Sequence, residues 1–370
     1  MACKLNRQLR SFFGTVLLLN LLFLPALEIF CQSKRPRSVG SVNKVNKKIS
    51  PVVPLQPIVQ QTIPAPTKPV IPEPQKPVQP KKVEPKEEEA ILRIDSKLVA
   101  VPVSVTDTAG EPIKGLKPED FKLFEEGSPQ QLVALGDPGQ TPVELVLVFD
   151  ASGSVFERFK FQQDAAARFL KQVFKPKDSV TIFSIGMTSH LIQPRTLAFD
   201  QSIAGLMKIV PTREGTAFFD TVADAAKYLG KNAEPGTRHV IIVISDGEDN
   251  KSDDYRLPSA IQELQRSDCL FYSINPSGPS IRLNRVSMRG QDGMMALAKQ
   301  TGGAAFLPDK FEDLDLVFKQ IATELQAQYL LGYYSTDDRS DGGFRKIAVN
   351  VPARPELRVR ARQGYYAPKV

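Results

Sequence analysis

The chain has 370 residues and 30 prolines, and 11 of those prolines fall within residues 51–85. No packed domain tolerates that density, because proline fixes φ and donates no backbone hydrogen bond. The net charge of +7 is equally local: residues 1–89 carry 14 Lys+Arg against 6 Asp+Glu, and the remaining 281 carry 34 against 35. This excludes a basic nucleic-acid-binding domain, which presents its charge on a folded face, and two histidines with three cysteines exclude a Cys/His zinc cluster or a disulfide-stapled scaffold.

Residues 1–31 begin with Lys4, Arg7 and Arg10 and continue as an apolar run from Ser11 to Pro25 that extends toward Phe30. A basic start followed by an apolar stretch is the pattern of an export signal. Three fates stay open: cleavage near Cys31, retention as a membrane anchor, and lipid modification of Cys31. Each exports the rest of the chain to the periplasm, the cell envelope or the medium. Residues 32–89, rich in proline, lysine and glutamate, read as a disordered spacer with an extended polyproline bias, and Pro51 to Glu89 could span on the order of 100 Å.

The folded part reads as a shuffle of two periodicities. Val146–Phe149, Ser179–Ile185, Val240–Ser245 and Cys269–Ile274 are short apolar runs, as expected of strands buried on both faces, and Gly303–Leu307 reads as a further strand. Helical segments follow them: Phe159 to Val173, Ala217 to Leu229, Ile261 to Arg266, Met294 to Gln300 and Phe311 to Leu325. Strands alternating with helices predict an α/β fold with a doubly wound, mainly parallel sheet over residues 141–326. Cys269, within an apolar run, is expected to be a small buried hydrophobe.

In such sheets ligands bind outside the carboxyl ends of the strands. Asp150 ends the first run and Asp246 follows the Val240 run. Ser152 and Ser154 share the loop after Asp150, and Thr216 opens the helix that begins at Ala217. Five small oxygen-bearing side chains with no imidazole or thiol suit a hard cation. Because hydroxyls bring no charge, the bound ion would keep net positive charge and could accept an acidic group.

Asp150-Ala-Ser-Gly-Ser154, Thr216 and Ser245-Asp246-Gly247 together resemble the metal-ion-dependent adhesion site of von Willebrand factor type A (VWA) domains. The resemblance covers about residues 141–326. It implies that Asp150, Ser152, Ser154, Thr216 and Asp246 hold Mg²⁺, with Mn²⁺ or Ca²⁺ as substitutes, and that the ion recruits an Asp or Glu carboxylate of a protein partner. The segments Leu98–Gly110 and Ile113–Gly127, with Gln328–Tyr334 and Arg358–Tyr366, extend it to a secreted bacterial (acidobacterial-type) VWFA-related family from about residue 90 to the end.

Both flanks alternate with period two: Val101, Val103 and Val105 in one, Ile347, Val349, Val351 and Leu357, Val359, Ala361 in the other. They predict one small antiparallel β-sandwich made of residues 90–140 and 327–370, with the α/β unit inserted. The stripe Arg358, Arg360 and Arg362 is expected to be a solvated strand face. An enzyme would need a general base or nucleophile near the ion; His239 lies at the opposite end of the sheet from Asp246, His190 is placed in an edge loop, and Ser152 has no histidine partner. The expectation is a non-enzymatic, exported adhesion or protein-binding module. The alternative is a structural envelope subunit with a vestigial metal site.

Overall fold

Strand alternation in the amino-terminal flank is realised as β1 (Leu98–Thr106), β2 (Lys122–Glu125), β3 (Ser128–Gln130) and β4 (Leu132–Gly136). The structure, a computed structural model, describes residues 98–136, 140–153, 159–212, 214–278 and 285–369. The export segment, the spacer and Ser154 lie outside the described residues.

The chain then enters β5 (Val143–Asp150), followed by α1 (Phe159–Val173), β6 (Ser179–Ile185), β7 (Ser189–Thr196), α2 (Phe199–Met207), α3 (Phe218–Asn232) and β8 (Arg238–Ile244). The unit is completed by α4 (Leu257–Arg266), β9 (Cys269–Ile274), α5 (Arg285–Thr301), β10 (Ala305–Phe306) and α6 (Leu314–Ala327). These strands form one sheet in the order β10-β9-β8-β5-β6-β7, parallel except for β7, which pairs antiparallel with β6. The central strands need apolar residues at consecutive positions because helices cover both faces. Leu145, Leu147, Phe149 and Ile242 face Phe169 and Leu170 of α1 and Phe318 and Ile321 of α6. Their neighbours Val146, Val148, Ile241 and Val243 face Phe218 and Val222 of α3, Leu264 of α4 and Leu297 of α5. β7 sits at the sheet edge, the place where its Pro194 is tolerated. It carries His190, which is thus on an edge strand rather than in a loop, bonded to Thr188 Oγ1 at 3.3 Å.

The carboxyl-terminal flank supplies β11 (Tyr329–Tyr334), β12 (Phe344–Asn350), β13 (Arg358–Ala361) and β14 (Gly364–Tyr366). Neither flank forms a sheet alone. One four-stranded sheet runs β13-β1-β11-β4 and the other β14-β12-β2-β3, so each mixes strands from both sides of the insertion. Val101, Val103, Leu123, Leu331, Tyr333, Ile347 and Tyr365 are buried between them.

The second face of the β1 sheet departs from the expectation. Ser104 and Thr106, the polar positions of β1, are buried, and only Arg358 of the arginine stripe is exposed. Arg360 ion-pairs with the buried Glu324 of α6 and donates to the Gly303 carbonyl at 2.7 Å. Arg362, 8% exposed, pairs with Asp268 and donates to the Ala100 carbonyl at 2.9 Å. The stripe is fully solvated only at Arg358; at Arg360 and Arg362 the α/β unit covers that face of the sheet. Glu324 also accepts from Ser104 Oγ at 2.8 Å and Tyr272 Oη at 2.7 Å, so one carboxylate ties α6, β9, β1 and β13 together.

Gln328 alone separates α6 from β11. Its amide donates to Ser104 Oγ at 3.2 Å and to Tyr272 Oη at 3.0 Å, and its Oε1 accepts from Arg238 at 3.1 Å. The Arg238 guanidinium also donates to the carbonyls of Leu325 at 2.8 Å and Thr141 at 3.5 Å, touching both the exit and the entry of the inserted unit. Among the described residues no helix is long and apolar enough to cross a membrane.

Candidate metal centre

β5 and β8 are neighbouring parallel strands with Phe149 opposite Ile244, so Asp150 and the Ser245-Asp246 step emerge at the same carboxyl edge of the sheet. Asp150 is fully buried, Ser152 is 3% exposed and Asp246 is 7% exposed. Asp150 Oδ1 accepts the Ser152 N–H at 2.9 Å, and its Oδ2 accepts the Ser245 hydroxyl at 2.5 Å. The Ser152 hydroxyl bonds to Asp150 as well. Gly247 N–H donates to Ser245 Oγ at 2.9 Å, and Glu248 N–H to Asp246 Oδ1 at 3.1 Å. Gly247 has φ +76, and an added Cβ there would meet the Gly290 carbonyl oxygen at 2.6 Å, so the loop needs glycine for both its conformation and its contact with α5.

Thr216, buried, precedes the α3 N-cap Ala217 by one residue, so the helix proper begins at Phe218 rather than Ala217. Thr216 is brought to the Asp246 loop through its backbone: its N–H donates to Asn250 Oδ1 at 2.9 Å, and its carbonyl accepts from Asn250 and Lys251 N–H, each at 3.0 Å. The structure therefore gathers Asp150, Ser152 and Asp246 at one sheet edge and fastens Thr216 beside them. Ser245 is the partner that sequence reasoning left without a role of its own. Its signal was a hydroxyl ending an otherwise apolar, fully buried strand.

The electrostatics follow from burial. Removal from water pushes the Asp150 carboxyl up to about 6; hydrogen bonds from Ser152 and Ser245 oppose the rise, and the Asp246 charge adds to it. Among the described residues, the main groups acting on Asp150 are the hydroxyls of Ser152 and Ser245, the Ser152 N–H and the Asp246 carboxylate. A buried carboxylate held by hydroxyl and amide donors, with a second carboxylate nearby, carries charge that a bound cation would compensate. The donors are all hard oxygens, which fits Mg²⁺. Among the described residues no group of three or more His, Cys, Asp or Glu could hold a metal, so a centre here would use two carboxylates completed by hydroxyls. Among the described residues the cysteine, Cys269, is buried at the start of β9, away from this edge, and burial pushes its thiol well up. His239 Nδ1 donates to the Ser267 carbonyl at 2.6 Å at the far end of β8.

Residues 145–248 match the von Willebrand factor type A domain family, and this stretch of the chain is a VWA domain. The match spans β5 through the Asp246 loop and leaves both β flanks outside it. No curated protein matches the chain. Similar solved structures include an aerotolerance-related membrane protein from Bacteroides fragilis carrying multiple mutations to serine, at 20% identity over 50% of this chain and 98% of that one, TM-score 0.39. Others are proximal thread matrix protein 1 from the mussel byssus with a zinc-occupied MIDAS motif (13%, 55% and 50%, TM-score 0.43) and the vWF domain of the type V pili tip protein Mfa5 from Porphyromonas gingivalis (13%, 49% and 94%, TM-score 0.40).

Proposed function

We propose that the protein is an exported, non-enzymatic binding module whose VWA domain holds a divalent cation, Mg²⁺ by preference, and uses it to take an acidic side chain of a protein partner. The observation that carries the reading is Asp150: a fully buried carboxyl at the ligand edge of a parallel sheet, bonded by hydroxyl and amide donors, with a second aspartate at the same edge. In this reading Asp150, Ser152, Ser154, Thr216 and Asp246 supply the oxygen donors. The ion, when bound, supplies a Lewis-acidic positive centre for the partner's Asp or Glu carboxylate. Ser152 bonds to Asp150, and the two histidines bond to Thr188 and to the Ser267 carbonyl. This disfavours nucleophilic catalysis. The basic and apolar first 31 residues would deliver the domain to the envelope or beyond.

The test is calorimetric Mg²⁺ titration of wild type, Thr216→Ala and Thr216→Ser, followed by capture from envelope extract with and without EDTA. Mg²⁺ binding to wild type and Thr216→Ser, weakening in Thr216→Ala, and EDTA-sensitive capture are expected. Wild type that binds neither Mg²⁺ nor Mn²⁺ would leave a structural envelope subunit with a vestigial site as the surviving reading.

A further inference from the structure

The loop after β8 does more than carry Asp246. Beyond the contacts at Thr216, it reaches the first turn of α3 at several further points. Asp249 Oδ1 accepts the Phe218 N–H at 2.9 Å, and Ser252 Oγ, which donates to Asp249, accepts the Asp220 N–H at 3.1 Å. The Asp220 carboxylate in turn accepts Asp253 N–H at 2.8 Å and Tyr255 N–H at 2.7 Å. The approach is close enough to dictate sequence on the other side: a Cβ at Gly215 would lie 2.7 Å from Asn250 Oδ1 and 2.5 Å from Lys251 Cγ. Within this set only Asn250 bonds to Thr216 through both side chain and backbone. Thr216 N–H precedes the helix, so no intrahelical acceptor exists for it.

We infer that Asn250 is a positioning residue: it locks the Thr216 loop to the Asp246 loop so that the two halves of the site move as one body. The role in cation binding rests on the proposed function above; the mechanical role does not. A preorganised donor set loses less freedom when an ion binds, and partners that orient ligands typically affect metal affinity by roughly 10–100-fold. Asn250→Ala removes the acceptor and leaves a buried N–H unpaired. Asn250→Asp keeps an acceptor oxygen at the same reach, and its added charge favours a cation.

The experiment combines amide hydrogen exchange of the full chain, read by NMR at Thr216, with Mg²⁺ titration by calorimetry. Circular dichroism confirms that each variant is folded. Asn250→Ala is expected to speed Thr216 exchange about tenfold, the loss of one hydrogen bond, and to weaken Mg²⁺ binding by roughly 10-fold or more, while Asn250→Asp stays near wild type in exchange and binds Mg²⁺ at least as tightly. Thr216 protection that is unchanged in Asn250→Ala, or lost equally in Asn250→Asp, overturns the clamp. Faster exchange with Mg²⁺ affinity equal to wild type overturns its positioning role. Faster exchange in a protein whose wild type binds no Mg²⁺ upholds the clamp and sinks the metal reading instead.

Discussion

Asp150→Asn separates the electrostatics of the buried site from its packing, because the change is nearly isosteric. The amide oxygen can still accept the Ser152 N–H, and the amide nitrogen can donate to Ser245 Oγ once that hydroxyl swivels. In wild type the folded-state carboxyl titrates at about 6 against an ordinary value of 3.8. The native state therefore binds this proton more tightly than the unfolded chain does. The stabilisation is fully present below pH 3.8 and is lost as pH rises through 6. A shift of that size corresponds to about 3 kcal/mol. In EDTA, urea denaturation of wild type should show stability falling by up to about 3 kcal/mol between pH 4 and 7 relative to Asp150→Asn. At pH 7.5 the variant should be the more stable protein. Mg²⁺ at about a thousandfold excess over Kd should reverse the order, since it adds about 4.1 kcal/mol to a protein that binds it. Parallel pH profiles for the two proteins, or equal stabilisation of both by Mg²⁺, would refute the reasoning.

The arginine stripe offers a contrast between neighbours: Arg360→Met should cost about 3 kcal/mol in urea denaturation, because it leaves the buried Glu324 carboxylate uncompensated, whereas Arg358→Met, on an exposed position, should stay within about 0.5 kcal/mol. Gly290→Ala should lower the melting temperature, with a cost of about 1–3 kcal/mol, since its new Cβ would lie 2.6 Å from the Gly247 carbonyl carbon, a backbone atom that cannot swing aside. The same variant should weaken Mg²⁺ binding, because that backbone directly follows Asp246.

What the sequence revealed and what it hid divide along physical lines. Runs such as Val240–Ile244 are apolar at every position because both faces are covered, and this was legible without any structure. Asp150 and Asp246 were legible for the same reason: a carboxylate that ends a fully buried strand can only sit at the sheet's ligand edge. The arginine stripe was misread because period-two alternation says that two faces of a strand differ, not what lies against the second one. At β13 the polar face meets Glu324 at Arg360 and Asp268 at Arg362, and only Arg358 is exposed to water. α5 begins at Arg285, well before the segment that periodicity marked, because Gly290 and Gly293 dilute its helical signal; the first of these serves contact with Gly247. β7 and α2 escaped notice since an edge strand with proline and a short helix bury too few residues to leave a period. The Asn250 clamp works mostly through backbone groups, which no side-chain pattern reports.

The insertion of one unit into another sets an order of events during folding. Val103 of β1 pairs with Tyr329 of β11, partners separated by the whole α/β unit. Closing so long a loop in an unstructured chain carries an entropic cost that grows with its length, and nothing local compensates it. Once the α/β unit has formed, Arg238 holds the Thr141 and Leu325 carbonyls on one guanidinium, and the long loop becomes a short one. The β1–β4 segment is synthesised before the rest of the fold, yet its pairing edges must wait for a partner more than two hundred residues behind it. During that interval those edges are open to mispairing with other chains. Any change that slows folding of the α/β unit should therefore surface first as aggregation of the sandwich strands.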